Sequence, residues 1–299
     1  MSSFEGVRTV DVNAAKLAYR EHGEGEPVVF VHGSSDDLRS WDHQLPAIGA
    51  SHRAITYSRR YARPNEAIEP DADNQTLPHV DDLVTFLQVI DATPAHLVGH
   101  SWGALICLLA AIRRPRVVRS LVLQEPPVLS LFISTRPRPL DLLGLFVRRP
   151  RTARVILSFA VKTALPAEKA FRRGDDEAAM QAYAVGLLGK DTWERLPNEP
   201  KQRARENVNS LRAQVLGAGF PPLSDDGVRR VAAPTLLMTG QRSPAYLPRL
   251  TDRLQQLLPN AERVEILAAS HLMSEENPGA VNEAILEFLA RHASQEIAA

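Results

Sequence analysis

The stretch Ala95-His-Leu-Val-Gly-His-Ser-Trp-Gly-Ala-Leu-Ile-Cys-Leu-Leu-Ala-Ala111 decides the fold of this 299-residue chain. It begins as a short apolar run typical of a buried strand, and it continues as an apolar run of helical length. Between them, Gly99-His-Ser-Trp-Gly103 matches G-x-S-x-G, which at a strand-to-helix junction predicts a strained turn with an exposed serine hydroxyl. We therefore predict Ser101 as a nucleophile; the alternative is a tight turn whose serine only caps the helix.

Other strand-like and helix-like segments alternate on both sides of this turn. Strands are predicted at residues 7–13, 16–21, 27–33, 53–57, 95–99, 120–123, 235–239 and 263–267, and helices at 77–90, 102–112, 244–258 and 278–292. Such alternation favours a mainly parallel sheet with helices on both faces.

One long segment interrupts the alternation. From Val128 to Ala233 we find no strand pattern, whereas helical patterns occur at residues 140–147, 153–163, 175–188 and 200–216. Because strand patterns resume at Thr235, we predict an inserted helical lid over 128–233. It would separate a first core part, 1–127, from a second, 234–299.

A serine nucleophile needs a general base within hydrogen-bond reach. Only His271 and His292 follow Ser101 in the sequence. His271 comes just after the last predicted strand, where a loop reaches the carboxyl edge of the sheet, whereas His292 ends the last helix and suits its dipole. We predict His271 as the base, and we interpret His32 and His100 as structural.

Together these motifs resemble a known family. Val31-His-Gly-Ser34, Gly99-His-Ser-Trp-Gly103 and Ser270-His-Leu-Met273 occur in the order found in α/β-hydrolase-fold enzymes of the lid-bearing esterase, lactonase and epoxide-hydrolase branch. The resemblance spans about residues 7–293. It implies a mainly parallel eight-stranded sheet flanked by helices, with a helical lid after the sixth strand.

The sequence departs from this family at the expected triad acid. The family often has an acidic residue after the strand at 235–239, but Ser243 stands there and the next carboxylate is Asp252. Glu125, at the carboxyl end of an earlier strand, is our predicted acid, and it would hold the imidazole of His271 in the correct tautomer. Asp225, Asp226 and Asp252 are the alternatives.

A second departure is Tyr57-Ser-Arg-Arg-Tyr-Ala62, which replaces the family's frequent Asp-x-Arg-Gly turn. We expect this turn to alter the pocket entrance, and we assign it no chemistry.

An acyl-transfer site also needs two donors for the developing oxyanion. The resemblance implies the backbone amides of Trp102 and Ser34, with Ser35 as an alternative to Ser34. Apolar lid residues recur at helical spacing, and although most of them serve packing, some must cover the pocket. Our predicted substrate contacts are Leu142, Phe146 and Phe159.

Composition narrows the partners and cofactors. Lys plus Arg and Asp plus Glu each number 35, so no net charge favours nucleic acid or an anionic membrane. Cys107 is the single cysteine, and we find neither a metal-ligand cluster nor a phosphate-binding glycine loop, so we expect no metal and no cofactor. Residues 1–8 lack the apolar run of a signal peptide, and no run reaches about 18 apolar residues. We expect a cytoplasmic protein with a small-molecule substrate; a homodimer is left open.

These observations favour a serine hydrolase for a carboxylic ester or lactone of a mainly hydrophobic small molecule, acting through an acyl-enzyme on Ser101. Two alternatives stay open at this point. The same triad supports carbon–carbon bond hydrolysis or lyase chemistry, and a non-catalytic lidded binding protein could keep the turn. Epoxide hydrolysis on this fold uses a carboxylate nucleophile, so Ser101 argues against it.

Overall fold

A single eight-stranded sheet runs through the chain. The computed structural model describes residues 4–69, 72–134 and 138–293, so the outermost ends of the predicted core parts and residues 135–137 of the predicted lid lie outside the described residues. The strand order is β1-β2-β4-β3-β5-β6-β7-β8. The strands are β1 Arg8–Val12, β2 Ala15–His22, β3 Pro27–Val31, β4 Arg53–Tyr57, β5 Ala95–His100, β6 Val118–Gln124, β7 Thr235–Gly240 and β8 Ala261–Ile266.

Most of the sheet is parallel, as predicted. β2 pairs antiparallel with β1 and β4, and every other neighbouring pair is parallel. The carboxyl ends of β3, β5, β6, β7 and β8 therefore meet at one edge of the sheet. All six residues of β5 are buried, which is the burial expected of a central strand covered on both faces.

Helices cover both faces of the sheet. They are α1 Gln44–Gly49, α2 Thr76–Val89, α3 Trp102–Arg113, α4 Pro139–Arg148, α5 Pro150–Phe159, α6 Leu165–Arg172, α7 Asp176–Leu188, α8 Lys190–Arg195, α9 Asn198–Glu206, α10 Val208–Leu216, α11 Asp225–Arg229, α12 Tyr246–Leu257, α13 Met273–Glu276 and α14 Pro278–Arg291. Buried side chains of α2, α3 and α12 form one core with the sheet, and those of α1 and α14 form a second core on the other face. The predicted α/β architecture is confirmed.

The described residues between β6 and β7 contain helices and no strand. The prediction of one helix over 200–216 is wrong, because α9 ends at Glu206 and α10 starts at Val208. The side chain of the intervening Asn207 accepts a hydrogen bond from the amide of Arg63 (2.8 Å) and donates one to Asp37 (2.8 Å). These long-range bonds fix the break. The assignment of residues 128–233 as an inserted lid stays a prediction.

Candidate active site

The turn between β5 and α3 holds Ser101 in a strained backbone conformation, with φ +52° and ψ −119°. Both glycines of the motif are required by close packing. A Cβ on Gly99 would lie 2.5 Å from Cα of Ala104, and a Cβ on Gly103 would lie 2.1 Å from the carbonyl oxygen of Val31. Such a conformation costs about 1–3 kcal/mol and persists only where the surrounding structure holds it. The turn therefore has the geometry of a nucleophile elbow.

His271 and Glu125 form a buried pair at the carboxyl edge of the sheet. His271 Nδ1 donates a hydrogen bond to Glu125 Oε2 (2.7 Å), and the two side chains are 2% and 0% exposed. Glu125 Oε1 accepts a second hydrogen bond from the amide of Gly240 (3.0 Å). With Nδ1 as the donor in this hydrogen bond, the neutral imidazole has Nε2 left as an acceptor. Nε2 is buried and has no hydrogen-bond partner in the described part of the chain.

The other carboxylates considered as triad acids lie elsewhere. Asp225, Asp226 and Asp252 each pair with an arginine and not with His271. Ser243, which stands where the family often has an acid, donates its amide to the carbonyl of Gly240 in the turn after β7 (3.0 Å). Of the four predicted candidates, only Glu125 contacts the imidazole.

The loop after β3 lies directly against the nucleophile. A Cβ on Gly33 would lie 3.4 Å from Cβ of Ser101. The next residues, Ser34 and Ser35, line the same compartment as Ser101. Trp102 is the first residue of α3, and amides in the first turn of a helix have no acceptor within that helix. Both predicted oxyanion donors are therefore beside Ser101, and their catalytic role stays a prediction.

Arg59 is a site residue that sequence reasoning missed. Its guanidinium is buried, donates to the carbonyls of His32 (3.1 Å) and Gly33 (2.7 Å), and lies 4.2 Å from the ring centroid of Trp102. No residue of 57–62 lines either of the two compartments beside Ser101, and an effect of this turn on the pocket entrance stays a prediction. The sequence signal was an arginine two residues after the predicted strand at 53–57, where a buried charge requires hydrogen-bond partners.

Two histidines support the loops around Ser101. His32 Nδ1 donates to the carbonyl of Gly33 (2.9 Å), and its Nε2 accepts from the amide of Arg59 (2.9 Å). His100 Nε2 donates to the carbonyl of His271 (2.8 Å). Burial lowers the pKa of His100 to about 3 and that of His32 well below its ordinary value. Both rings are therefore neutral and serve as hydrogen-bonding supports.

Two compartments open beside Ser101. The large compartment has a volume of about 390 Å³, and the small compartment one of about 70 Å³. Ser101, Tyr183 and Leu187 line both, whereas His271 lines only the small one. The three predicted substrate contacts all line the large compartment: Leu142, Phe146 and Phe159. The nucleophile thus lies between an apolar cavity and a smaller space next to the base.

Three charged side chains line the small compartment. Arg203 of α9 is 5% exposed and donates to Asp36 (2.5 Å) and to Glu275. Asp36 lies in the loop after β3, and Glu275 lies on α13, four residues after His271. Arg203 therefore ties the helical segment to both loops of the site. Burial raises the pKa of Glu275 to about 7, and it also raises the pKa of Asp36.

Comparison with known proteins identifies the family of this chain and finds structures with a similar fold. The sequence model of the alpha/beta hydrolase family matches residues 28–284. A Mycobacterium tuberculosis protein that carries the name of a non-heme bromoperoxidase is 29% identical, over 92% of this chain and 97% of its own. Epoxide hydrolase A of the same organism is also 29% identical, over 94% and 96%. A thermophilic esterase from Thermogutta terrifontis superposes with a TM-score of 0.72 at 22% identity, over 96% and 99%.

Across the residues that the structure describes, we find no helix with the length and apolar character needed to cross a membrane.

Proposed function

Because the chain belongs to the alpha/beta hydrolase family, we propose that it is a serine hydrolase that cleaves a carboxylic ester or lactone through an acyl-enzyme on Ser101. The observation that carries this proposal is the buried pair of His271 and Glu125, which leaves Nε2 of the imidazole without a partner in the compartment that Ser101 also lines.

The first half of the reaction acylates the serine. His271 Nε2 takes the proton of Ser101 Oγ as this oxygen attacks the substrate carbonyl carbon. The amides of Ser34 and Trp102 stabilise the negative oxygen of the tetrahedral intermediate, an effect worth about 3 kcal/mol for each donor in measured cases. Glu125 stabilises the imidazolium that forms. The imidazolium then protonates the leaving alkoxide as the carbon–oxygen bond breaks.

The second half releases the acid. His271 removes a proton from a water molecule, the hydroxide attacks the acyl carbon, and the imidazolium returns the proton to Ser101 Oγ as the acyl–serine bond breaks. In a lactone the alkoxide of the first half stays attached to the acyl chain, so the same two steps open the ring.

The nucleophile separates this chain from some of its relatives in chemistry. A relative at 29% identity is named an epoxide hydrolase. Epoxide hydrolysis on this fold uses a carboxylate nucleophile, whereas Ser101 supplies a hydroxyl. An ester or lactone carbonyl is the electrophile that suits a serine with a histidine base and two amide donors.

The test is to treat the protein with a fluorophosphonate probe, which reacts with activated serines, and to locate the adduct by mass spectrometry. Modification of Ser101, followed by hydrolysis of simple esters or lactones, would support the proposal. If the folded protein is not labelled, Ser101 is not activated and a ligand-binding role becomes the better explanation. Labelling without turnover of any ester or lactone would favour carbon–carbon bond hydrolysis.

A further inference from the structure

The two compartments beside Ser101 differ in their relation to the base. Both contain Ser101, but only the small compartment contains His271. Since His271 returns its proton to the leaving alkoxide, the leaving oxygen must lie within hydrogen-bond reach of Nε2. The alcohol side of the ester bond therefore occupies the small compartment, and the acyl side occupies the large one.

We propose that the substrate is an ester of a bulky apolar carboxylic acid with a small alcohol that carries no negative charge. This inference rests on the proposed function. The large compartment is lined mostly by apolar side chains, and Glu168 is the one charged residue among the described residues that line it. Glu168 is itself paired with Arg172, one helical turn away. This lining suits a hydrocarbon group, which gains free energy by leaving water.

The volumes set the size of each part. An apolar cavity of about 150 Å³ holds one benzene molecule, which has six carbon atoms. In proportion, the large compartment of about 390 Å³ accommodates roughly fifteen carbon atoms. The small compartment of about 70 Å³ accommodates roughly three non-hydrogen atoms, the size of ethanol.

The charges set the polarity of the alcohol. Asp36 and Glu275 share one guanidinium, that of Arg203, and all three line the small compartment. Burial raises the pKa of Glu275 to about 7, so above pH 8 it is ionised and the cluster has one net negative charge. A leaving alcohol with a carboxylate would meet this charge at short range in a partly desolvated space. Neutral alcohols would not.

A pair of isomers tests the orientation. Ethyl hexanoate and hexyl acetate have the same atoms, but the long chain lies on the acyl side in one and on the alcohol side in the other. Each methylene group of the substrate that is buried in the large compartment should raise kcat/KM about fourfold. We expect ethyl hexanoate to be hydrolysed at least a hundredfold more efficiently than hexyl acetate. Trp193→Ala, which enlarges the small compartment, should narrow this ratio.

The outcomes of this pair separate the two proposals. Equal efficiency, or a preference for hexyl acetate, would overturn the assignment of the compartments while leaving the serine hydrolase mechanism intact. If neither isomer is hydrolysed and a fluorophosphonate does not label Ser101, both proposals fall. Labelling of Ser101 with no hydrolysis of either isomer would overturn the proposed substrate class.

Charge on the alcohol is tested at pH 8.5 with carbamoylmethyl and carboxymethyl hexanoate, whose alcohol parts have the same number of non-hydrogen atoms and differ in charge. We expect the neutral ester to be favoured at least tenfold in kcat/KM. Glu275→Gln removes one negative charge and should reduce this preference several-fold. Glu168→Gln, which removes a carboxylate from the large compartment, is the matched control and should leave the preference unchanged. Equal rates for the two esters in the parent protein would overturn the charge assignment.

A second inference comes from Arg59, and it also rests on the proposed function. Its Nη2 donates to the carbonyl oxygen of Gly33 (2.7 Å), which belongs to the same peptide group as the amide of Ser34. His32 Nδ1 donates to the same oxygen (2.9 Å). Two donors on a carbonyl polarise the peptide group, so its N–H becomes a stronger donor. The guanidinium also lies 4.2 Å from the ring centroid of Trp102, the other oxyanion residue.

We infer that Arg59 is a positioning residue for the oxyanion hole. It fixes the plane of one donor peptide, packs on the residue of the other, and makes no contact with either substrate compartment. A residue of this kind should affect the transition state and not the binding of the ground state. Replacing it should therefore lower kcat and leave KM nearly unchanged.

The experiment compares Arg59→Met and Arg59→Lys with Leu108→Ala. Leu108 is fully buried on α3, about two helical turns after Ser101, so its truncation weakens the fold at a distance from the nucleophile. We expect Arg59→Met to lower kcat ten- to a hundredfold with KM within threefold, Arg59→Lys to recover part of kcat, and Leu108→Ala to lower Tm but keep kcat. If Arg59→Met is folded and retains kcat within threefold, Arg59 is only structural. Loss of kcat in Leu108→Ala to the same extent would also overturn the inference.

Discussion

Replacing Glu125 by glutamine removes the charge of the predicted triad acid with almost no change of shape. In the parent protein, Oε1 accepts from the amide of Gly240 and Oε2 accepts from His271 Nδ1. The glutamine oxygen can still accept from Gly240, but the amide nitrogen is a donor and cannot accept from Nδ1. His271 must then move its proton to Nε2, the atom that has to accept the proton of Ser101.

The expected loss is large and confined to catalysis. The equivalent change in a serine protease lowers kcat about 10⁴-fold, which corresponds to roughly 5.5 kcal/mol of transition-state free energy. We expect a loss of about 10³- to 10⁴-fold in kcat for ethyl hexanoate. KM should change little, because Glu125 lines neither compartment. Tm should stay within a few degrees, because the shape and one of the two hydrogen bonds are kept.

Steady-state hydrolysis, followed by titration of the released acid, measures this effect. Asp252→Asn is the matched control, since Asp252 pairs with Arg263 (2.6 Å) away from His271, and its kcat should stay within about twofold. The reasoning about the acid is refuted if Glu125→Gln keeps more than a tenth of the parent kcat. It is equally refuted if Asp252→Asn shows the larger loss.

Further expected outcomes concern stability and pH. Ser101→Ala and Ser101→Gly should both abolish hydrolysis and fluorophosphonate labelling. Because glycine relieves the strain at φ +52°, the Tm of Ser101→Gly should be about 2–4 °C above that of Ser101→Ala in calorimetry, and equal Tm values for the two variants would contradict the strain. Burial lowers the pKa of His100 to about 3, so between about pH 3 and 6.5 the unfolded chain binds more protons there and the free energy of unfolding rises with pH. His100→Gln keeps a donor for the carbonyl of His271. It should reduce the rise of the unfolding free energy with pH by up to about 1.4 kcal/mol per pH unit, measured by urea titrations at several pH values. An unchanged pH dependence would argue against a buried neutral ring. Arg203→Met leaves the buried Asp36 and the partly buried Glu275 without their cation, and it should cost about 3–5 kcal/mol of unfolding free energy at pH 8. Adding Glu275→Gln should recover part of this loss, and additive losses in the double variant would contradict a shared cluster.

The sequence could predict the sheet and the residues at its carboxyl edge, because these depend on local patterns. Apolar runs of strand length mark the strands, and a parallel sheet brings their carboxyl ends together whatever the length of the connections. That is why Ser101 after β5, Glu125 after β6 and His271 after β8 could be named as one group before their distances were known. The pairing of His271 with Glu125 follows from the topology and not from a motif.

The helical segment was predicted less well, because its element boundaries depend on contacts distant in sequence. The break between α9 and α10 is made by hydrogen bonds of Asn207 to the loops after β3 and β4. In the sequence, Arg203 is one of several charged residues in a polar stretch, and the structure buries it against Asp36 and Glu275. A helical pattern shows which face is apolar, but it cannot show which charge meets a partner more than a hundred residues away.

The predicted triad acid lies on a different strand from the one that carries the acid in many members of the family. Ser243 stands where the family often has a carboxylate, yet the turn after β7 still serves the acid, because the amide of Gly240 donates to Glu125 Oε1. A Cβ on Gly240 would lie 2.3 Å from the carbonyl oxygen of Ser270, so β7 and the His271 loop are in direct contact at this point. A fully buried carboxylate at the end of β6 is stable only if both oxygens find donors. His271 Nδ1 and the amide of Gly240 supply one donor each, so a carboxylate at the end of β6 can hold the proton of His271 on Nδ1 without an acid in the turn after β7.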